Sequence, residues 1–354
     1  MTNQRFWSRS TTGLTPYIPG EQPGDRAFCK LNTNECPYPP SPAVAEALRT
    51  FDSGDLRLYP DPDAAALTSA LAAQKGLRAD QVLLCGGSDE ALAFAFMAFF
   101  DRGDTVCFAD ITYGFYAVYA RLFGLQAHII PLAGNFTISP ADYRDAPGGI
   151  FLANPNAPTG IALTPTQIEE IVAANPDRLV VVDEAYIDYA PVGSCIPLLA
   201  QHNNLLVVQT FSKSRALAGM RLGAAFANAG LIEAMNRVKF SFNPYNIDRV
   251  SLAVGYASVQ DPAYLQEVIA KVTATRERTA ARLLEIGCTV LPSATNFLFV
   301  AHPRRTGHAL YEELKQAGIL ARYFDQPRTH LFIRVSIGTD AEMDRFLREM
   351  EAIK

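Results

Sequence analysis

The chain has 354 residues, 49% of them apolar and 19% charged, and its 31 basic and 36 acidic side chains leave a net charge of -5. At roughly 100–200 residues per domain that is enough for two domains, or one large domain with an appendage, and the apolar share excludes a mostly disordered chain. No basic run forms a nucleic-acid footprint, MTNQRFWSRS holds no apolar leader core, and the longest wholly apolar run, ALAFAFMAFF at 91–100, falls well short of the ~18 residues of a membrane span.

A soluble cytoplasmic protein with no nucleic-acid or membrane partner is therefore expected. Cys29, Cys36, Cys85, Cys107, Cys195 and Cys288 are scattered and form no CxxC pair, so free thiols are expected rather than a disulfide framework or a zinc knuckle. His128, His202, His302, His308 and His330 show no metal-ligand spacing, and no metal is expected.

Residues 1–40, rich in Pro, Gly, Asn and Thr, read as an extended arm. Short apolar runs then alternate with helical patterns: VLLC at 82, TVCF at 105, AHIIPL at 127, IFLA at 150, LVVVDE at 179 and LLVVQT at 205. Continuous apolar strands separated by helix-length stretches predict a parallel sheet covered on both faces, an α/β fold, over 41–250. Beyond about 250 the texture changes. A long helix at 262–285, then TNFLFVA, a helix near 306–317, LFIRVSIGT and a last helix predict a smaller α+β domain over 251–354.

In such sheets ligands sit at the carboxyl ends of the strands. The run at 82–85 opens into Gly86-Gly87-Ser88-Asp89-Glu90, where free backbone N–H groups and the positive end of a helix suit a phosphate. A tight turn capped by Ser88 would account for the same residues. Two prolines stiffen NPNAPTG and present Asn154, although a plain connector could do so too. Asp183 stands at the mouth of a buried strand, where a carboxylate needs a cation, a cap or a catalytic reason. After 205–210 come Ser212 and Lys213, and then Arg221. A desolvated lysine makes a nucleophile, and arginine beside a hydroxyl makes a phosphate site.

In this order, Asn154 in NPNAPTG, Asp183 and Tyr186 in DEAY, Ser212-Lys213 and Arg221 resemble the fold-type I pyridoxal-phosphate aminotransferases, over nearly the whole chain. Within that family, TPYIPG, LNTNE, RLYPDP, GGSDE, ITYGFY, SFNPYNIDR, ILARYF and FIRVSIGTD are similar to the histidinol-phosphate aminotransferase branch. The resemblance implies a large domain built on a mostly parallel seven-stranded sheet, a smaller C-terminal domain, and pyridoxal 5'-phosphate as cofactor.

It also implies roles. Lys213 would anchor the cofactor and serve as the base, Asp183 would keep its ring nitrogen protonated, and Asn154 and Tyr186 would bond its phenolic oxygen. Tyr113 would stack on the ring, unless it is a core aromatic. The phosphate would lie on Gly87, Ser88, Asp89, Ser212 and Arg221, with Tyr59 reaching it from a second subunit of a homodimer. Arg334 would grip a substrate carboxylate or phosphate, and Arg322 and Tyr17 would add phosphate contacts, unless Arg322 is simply solvated.

The implied reaction is amino transfer from L-histidinol phosphate to 2-oxoglutarate. Cys36 and Gly86 stand where that branch usually has Asn, which weakens the substrate assignment. An aromatic amino-acid aminotransferase is the nearest rival, followed by a threonine-phosphate decarboxylase. A transcription regulator would need a DNA-binding domain, for which the length leaves no place, and a nicotinamide dehydrogenase would need a GxGxxG after the first strand.

Overall fold

The structure, a computed structural model, describes residues 4–23 and 28–353; residues 1–3, 24–27 and 354, the outer parts of the expected arm and C-terminal domain among them, lie outside the described residues. The arm is less extended than its composition predicts. Ser8 caps a one-turn helix, α1 (Arg9–Thr12), by accepting from the Thr11 N–H, and β1 (Cys29–Lys30) is a strand. Helices α2 (Pro42–Thr50) and α3 (Ala65–Lys75) follow.

Next come β2 (Val82–Cys85), α4 (Ser88–Phe99), β3 (Thr105–Ala109), α5 (Phe115–Phe123), β4 (Gln126–Ile130), β5 (Gly149–Ala153), α6 (Pro165–Ala173), β6 (Val180–Asp183), β7 (Leu205–Thr210) and β8 (Gly223–Ala227). These strands form one seven-stranded sheet in the order β2-β8-β7-β6-β5-β3-β4. Successive side chains of a strand point to opposite faces. Val180, Val182, Leu205 and Val207 accordingly enter one core cluster, while Val181, Leu206 and Val208 enter another across the sheet. That double burial is why these strands read as unbroken apolar runs.

β8, GAAFA, is antiparallel to both β2 and β7. Its alanines and glycine give little strand signal, yet small residues are what the place demands. A Cβ on Gly223 would lie 2.4 Å from the carbonyl carbon of Gly87 and 2.5 Å from the Ser88 nitrogen, so β8 is packed directly beneath the turn that opens α4.

The chain continues through α7 (Ala229–Phe242), α8 (Arg249–Val259) and the long α9 (Pro262–Glu285). The expected division at 250/251 falls inside α8. That helix packs on α2 and α3, and its Val254 and Val259 join the core of the large sheet, so it goes with that layer. Then follow β9 (Thr289–Val290), β10 (Phe297–Ala301), α10 (Gly307–Gln316), β11 (Ile319–Leu320), β12 (Arg322–Tyr323), β13 (Phe332–Ser336) and α11 (Asp340–Ala352). β12-β13-β10-β9 is an antiparallel sheet with its own apolar cluster. β1 of the arm pairs with β11, Cys29 opposite Ile319, so residues 29–31 belong structurally to this second region. No helix among the described residues is long and apolar enough to cross a membrane.

Candidate active site

A cavity of about 570 Å³ opens at the carboxyl ends of β3, β5, β6 and β7, where the arm and the small sheet close over the large one. Chain order reverses between β3, whose successor β4 lies on one side, and β5, whose successors β6 and β7 lie on the other; such a switch point leaves a crevice.

Asp183 ends β6 with its carboxylate in this cavity, 5% exposed. It accepts from the Ala185 N–H at 3.1 Å and from the Tyr116 hydroxyl at 3.2 Å. No cation pairs with it among the described residues, so the salt-bridge reading of this carboxylate is set aside. Burial, reinforced by the nearby Asp89 carboxylate, pushes its pKa up to about 7. The next residue, Glu184, points away and is satisfied by Ser194, the Cys195 N–H and Gln209.

Gly87 takes φ +95, and a Cβ there would fall 2.6 Å from Arg221 Nη2, so only glycine lets the guanidinium reach this turn. Ser88 is the first residue of α4 rather than its cap, and no side chain caps the helix. The first-turn N–H groups therefore face the cavity without intrahelical acceptors. Arg221 Nη1 lies 3.4 Å from Ser212 Oγ, and its Nη2 lies 3.5 Å from Asp89. Tyr113 donates to Asp89 Oδ1 at 2.7 Å, with its ring 5.6 Å from Phe115 and edge-on to Tyr116. Hydroxyl, guanidinium and helix N-terminus thus form a cradle for an anion.

Lys213 Nζ donates to the Thr33 carbonyl of the arm at 3.2 Å and lies 5.6 Å from the centre of the Tyr186 ring. Asn154 is buried, and its amide is bound to both backbone groups of Leu163, which fixes the loop after β5 and leaves one amide proton uncommitted. Tyr186 accepts a 2.9 Å bond from Asn34 Nδ2.

On the far side, Arg334 is held between the rings of Phe297 and Phe324 and donates to the Asn32 carbonyl at 3.1 Å, while its buried Nε has no partner among the described residues. Burial lowers its pKa. Arg322, directly across the strand pair, is not simply solvated. Its two terminal nitrogens donate to the carbonyls of Pro19 and Ile18, holding down the segment that carries Tyr17, whose ring packs 4.6 Å from Phe115.

Of the expected set, Gly87, Asn154 and Tyr59 do not line the cavity; Gly87 and the buried Asn154 lie just behind residues that do, whereas Tyr59 is on the surface. Tyr59 is 76% exposed and stacked on Tyr245. Two participants escaped sequence reasoning. Tyr116 reads as one more aromatic on an apolar helix. Asn34 stands inside LNTNE, but only the folded chain brings it to Tyr186. Had Tyr116 been counted on the helical face three residues after Tyr113, its hydroxyl would have been the signal.

A buried carboxylate without a cation, a lysine at the adjacent strand end and a cradle for an anion match the ring nitrogen, aldehyde and phosphate of pyridoxal 5'-phosphate. Fold and site define a fold-type I transaminase that uses this cofactor. The chain belongs to the aminotransferase class I and II family, whose model matches residues 26–350. It is 51% identical over 342 residues to a histidinol-phosphate aminotransferase of Marinomonas sp., covering 96% of this chain and 97% of the relative. It is 48% identical to another of Brachyspira hyodysenteriae, covering 98% of each. The histidinol-phosphate aminotransferase of Sinorhizobium meliloti, solved in complex with pyridoxal-5'-phosphate, superposes with a TM-score of 0.89 at 26% identity, covering 99% of this chain and 98% of that one.

Proposed function

We propose that the protein transfers the amino group of L-histidinol phosphate to 2-oxoglutarate, giving imidazole acetol phosphate and L-glutamate, in histidine biosynthesis in the cytoplasm. The observation that carries this reading is the pair Arg334 and Arg322, two cations at the substrate end of the cavity with no carboxylate paired to either among the described residues. A phosphate dianion asks for two cations, and a carboxylate is content with one. The full-length similarity to histidinol-phosphate aminotransferases supports the same substrate.

When bound, pyridoxal phosphate supplies a ring that takes up the electron pair of the broken Cα–H bond. Arg221, Ser212 and the N–H groups of Ser88 and Asp89 would hold its phosphate, whereas the Gly87 N–H is committed to the Cys85 carbonyl at 2.8 Å, and Tyr113 would cover its ring. Asp183 holds a proton on the ring nitrogen, because a cation beside that buried carboxylate relieves the burial penalty that raises its pKa. Asn154 and Tyr186 direct hydrogen bonds at the phenolic oxygen. Lys213 Nζ would anchor the cofactor and, once its amine is free, would accept the Cα proton and give it up again. Arg334 grips the phosphate of the donor and later the carboxylate of the acceptor, while Arg322 and Tyr17 add contacts for the phosphate.

Tyr59, exposed and stacked on Tyr245, supports a homodimer in which this aromatic pair is covered and Tyr59 reaches the phosphate of the other subunit. The deciding assay presents the purified enzyme with histidinol phosphate, phenylalanine and threonine phosphate, each with 2-oxoglutarate. Glutamate formed fastest from histidinol phosphate is the expected result. A preference for phenylalanine moves the assignment to an aromatic aminotransferase, and carbon dioxide from threonine phosphate moves it to a decarboxylase.

A further inference from the structure

Asn34 is an arm residue in a left-handed backbone conformation, φ +57, and is 1% exposed. Among L residues other than glycine, asparagine is one of the few that visit this region readily, through local hydrogen bonding. Every polar group of Asn34 is engaged, by three residues far from it in the chain. Its N–H donates to Ser336 Oγ at 2.8 Å, and the Ser336 hydroxyl returns a 3.0 Å bond to Asn34 Oδ1. Its carbonyl accepts from Asn296 Nδ2 at 3.0 Å. Its Nδ2 donates to the Tyr186 hydroxyl at 2.9 Å.

The reciprocal pair with Ser336 settles which way the amide points. The Ser336 oxygen accepts the Asn34 N–H, and its single proton has no acceptor among the described residues other than Oδ1, so the amide oxygen faces Ser336. The NH₂ end then faces Tyr186. An amide nitrogen donates only, so the Tyr186 oxygen accepts and its own proton must be directed elsewhere. The other direction open to that hydroxyl is the cavity, which Tyr186 lines together with Lys213 and Asp183.

We propose that Asn34 is a positioning residue that locks the Tyr186 hydroxyl as a donor into the cavity, and thereby sets the pH at which the cofactor bound there changes protonation. The inference rests on the reading of Tyr186 as a donor to the phenolic oxygen of the cofactor. A donor held on that oxygen stabilises its negative charge, which is greatest in the deprotonated form of the bound chromophore, so it lowers the pH of the transition. Because Ser336 ends β13 and Asn296 directly precedes β10 of the small sheet, while Tyr186 follows β6 of the large one, Asn34 also ties this setting to the seating of the small sheet over the cavity.

The test is a visible-absorbance pH titration of the holoenzyme and its variants. Tyr186→Phe should raise the spectral midpoint, and Asn34→Ala should raise it by about 0.5 to 1 pH unit, in the range of one neutral hydrogen bond. Asn34→Asp keeps the shape and the Ser336 contact but offers an acceptor, drawing the Tyr186 proton away from the cavity, and should raise the midpoint at least as far. Asn296→Ala weakens the same knot at the Asn34 carbonyl and leaves the Asn34 amide and both Ser336 contacts in place. It should lower the melting temperature with a much smaller spectral shift.

An unmoved midpoint in Tyr186→Phe overturns both the Tyr186 reading and the proposal. A shift in Tyr186→Phe that is absent from Asn34→Ala and Asn34→Asp overturns the proposal alone, as does an equal shift in Asn296→Ala, which would mark a loosened fold rather than a directed hydroxyl.

Discussion

Arg322 and Arg334 stand directly opposite each other on the antiparallel strands β12 and β13. Like charges in that position repel, and the pair persists because each guanidinium is held by backbone carbonyls, Arg322 by Ile18 and Pro19 and Arg334 by Asn32. An anion between them turns repulsion into attraction, so this end of the cavity is built for negative charge.

The first consequence is selectivity. A charge-assisted hydrogen bond contributes about 1.5 to 3 kcal/mol, roughly ten- to a hundredfold in binding. Arg322→Ala should reduce kcat/KM for histidinol phosphate by at least tenfold and change the value for an aromatic amino acid much less, whereas Arg334→Ala should damage both. Equal losses for the two donors in Arg322→Ala would remove Arg322 from phosphate recognition and show that it acts only by holding the arm.

A second prediction follows from the burial of Asp183. Its pKa is raised to about 7 in the folded chain, against 3.8 for an ordinary aspartate. Between those values the cofactor-free native state binds more protons than the unfolded state, so stability falls as pH rises through this window and levels off above it. Asp183→Asn removes the titration and keeps the shape. Cofactor-free Asp183→Asn should therefore melt higher than cofactor-free wild type at pH 8, with the difference shrinking toward pH 4. With cofactor bound the order should reverse, because the variant has lost the ion pair. Melting curves with and without cofactor at the two pH values check this, and a pH-independent difference would show that Asp183 is not the titrating group.

How much of this was legible in the sequence depended on range. Asp183, Ser212 and Lys213 could be placed at strand ends because β6 and β7 are buried on both faces and stand out as unbroken apolar runs. β8 gave no such signal, since its Ala-rich composition answers to the backbone of Gly87 rather than to strand propensity. The allegiance of α8, the pairing of Cys29 with Ile319 and the role of Asn34 all depend on contacts between segments far apart in the chain, which no local pattern encodes. Tyr59 was singled out by motif alone, and one copy of the chain leaves it facing solvent.

Lys213 is the lysine expected to carry the cofactor, since its amine lines the cavity beside Tyr186 and at the end of the strand next to that of Asp183. Borohydride reduction of the yellow holoenzyme should fix the cofactor to one peptide, and that peptide should contain Lys213. Lys213→Ala should still fold and lose transamination by several orders of magnitude, because anchor and base are removed together. Labelling of any other lysine would reassign both roles.

The exposed Tyr59 makes the sharpest prediction about assembly. Its ring, 76% exposed, lies on Tyr245, and it does not line the cavity of its own chain. If Tyr59 completes the phosphate cradle of a second copy, each site draws Lys213 from one subunit and Tyr59 from the other. Tyr59→Ala and Lys213→Ala, purified separately, should both be impaired, the first mainly in cofactor affinity. When the two are unfolded together and refolded as a mixture, random pairing puts about half of the chains' dimers in the hybrid form. In each hybrid one site carries both lesions and the other carries neither. Activity should then return to about one quarter of wild type under cofactor concentrations at which Tyr59→Ala alone is inactive. No recovery, with hybrid dimers verified by differential tagging, would place Tyr59 outside the neighbouring site. Sedimentation of the wild type as a monomer would remove the shared site altogether.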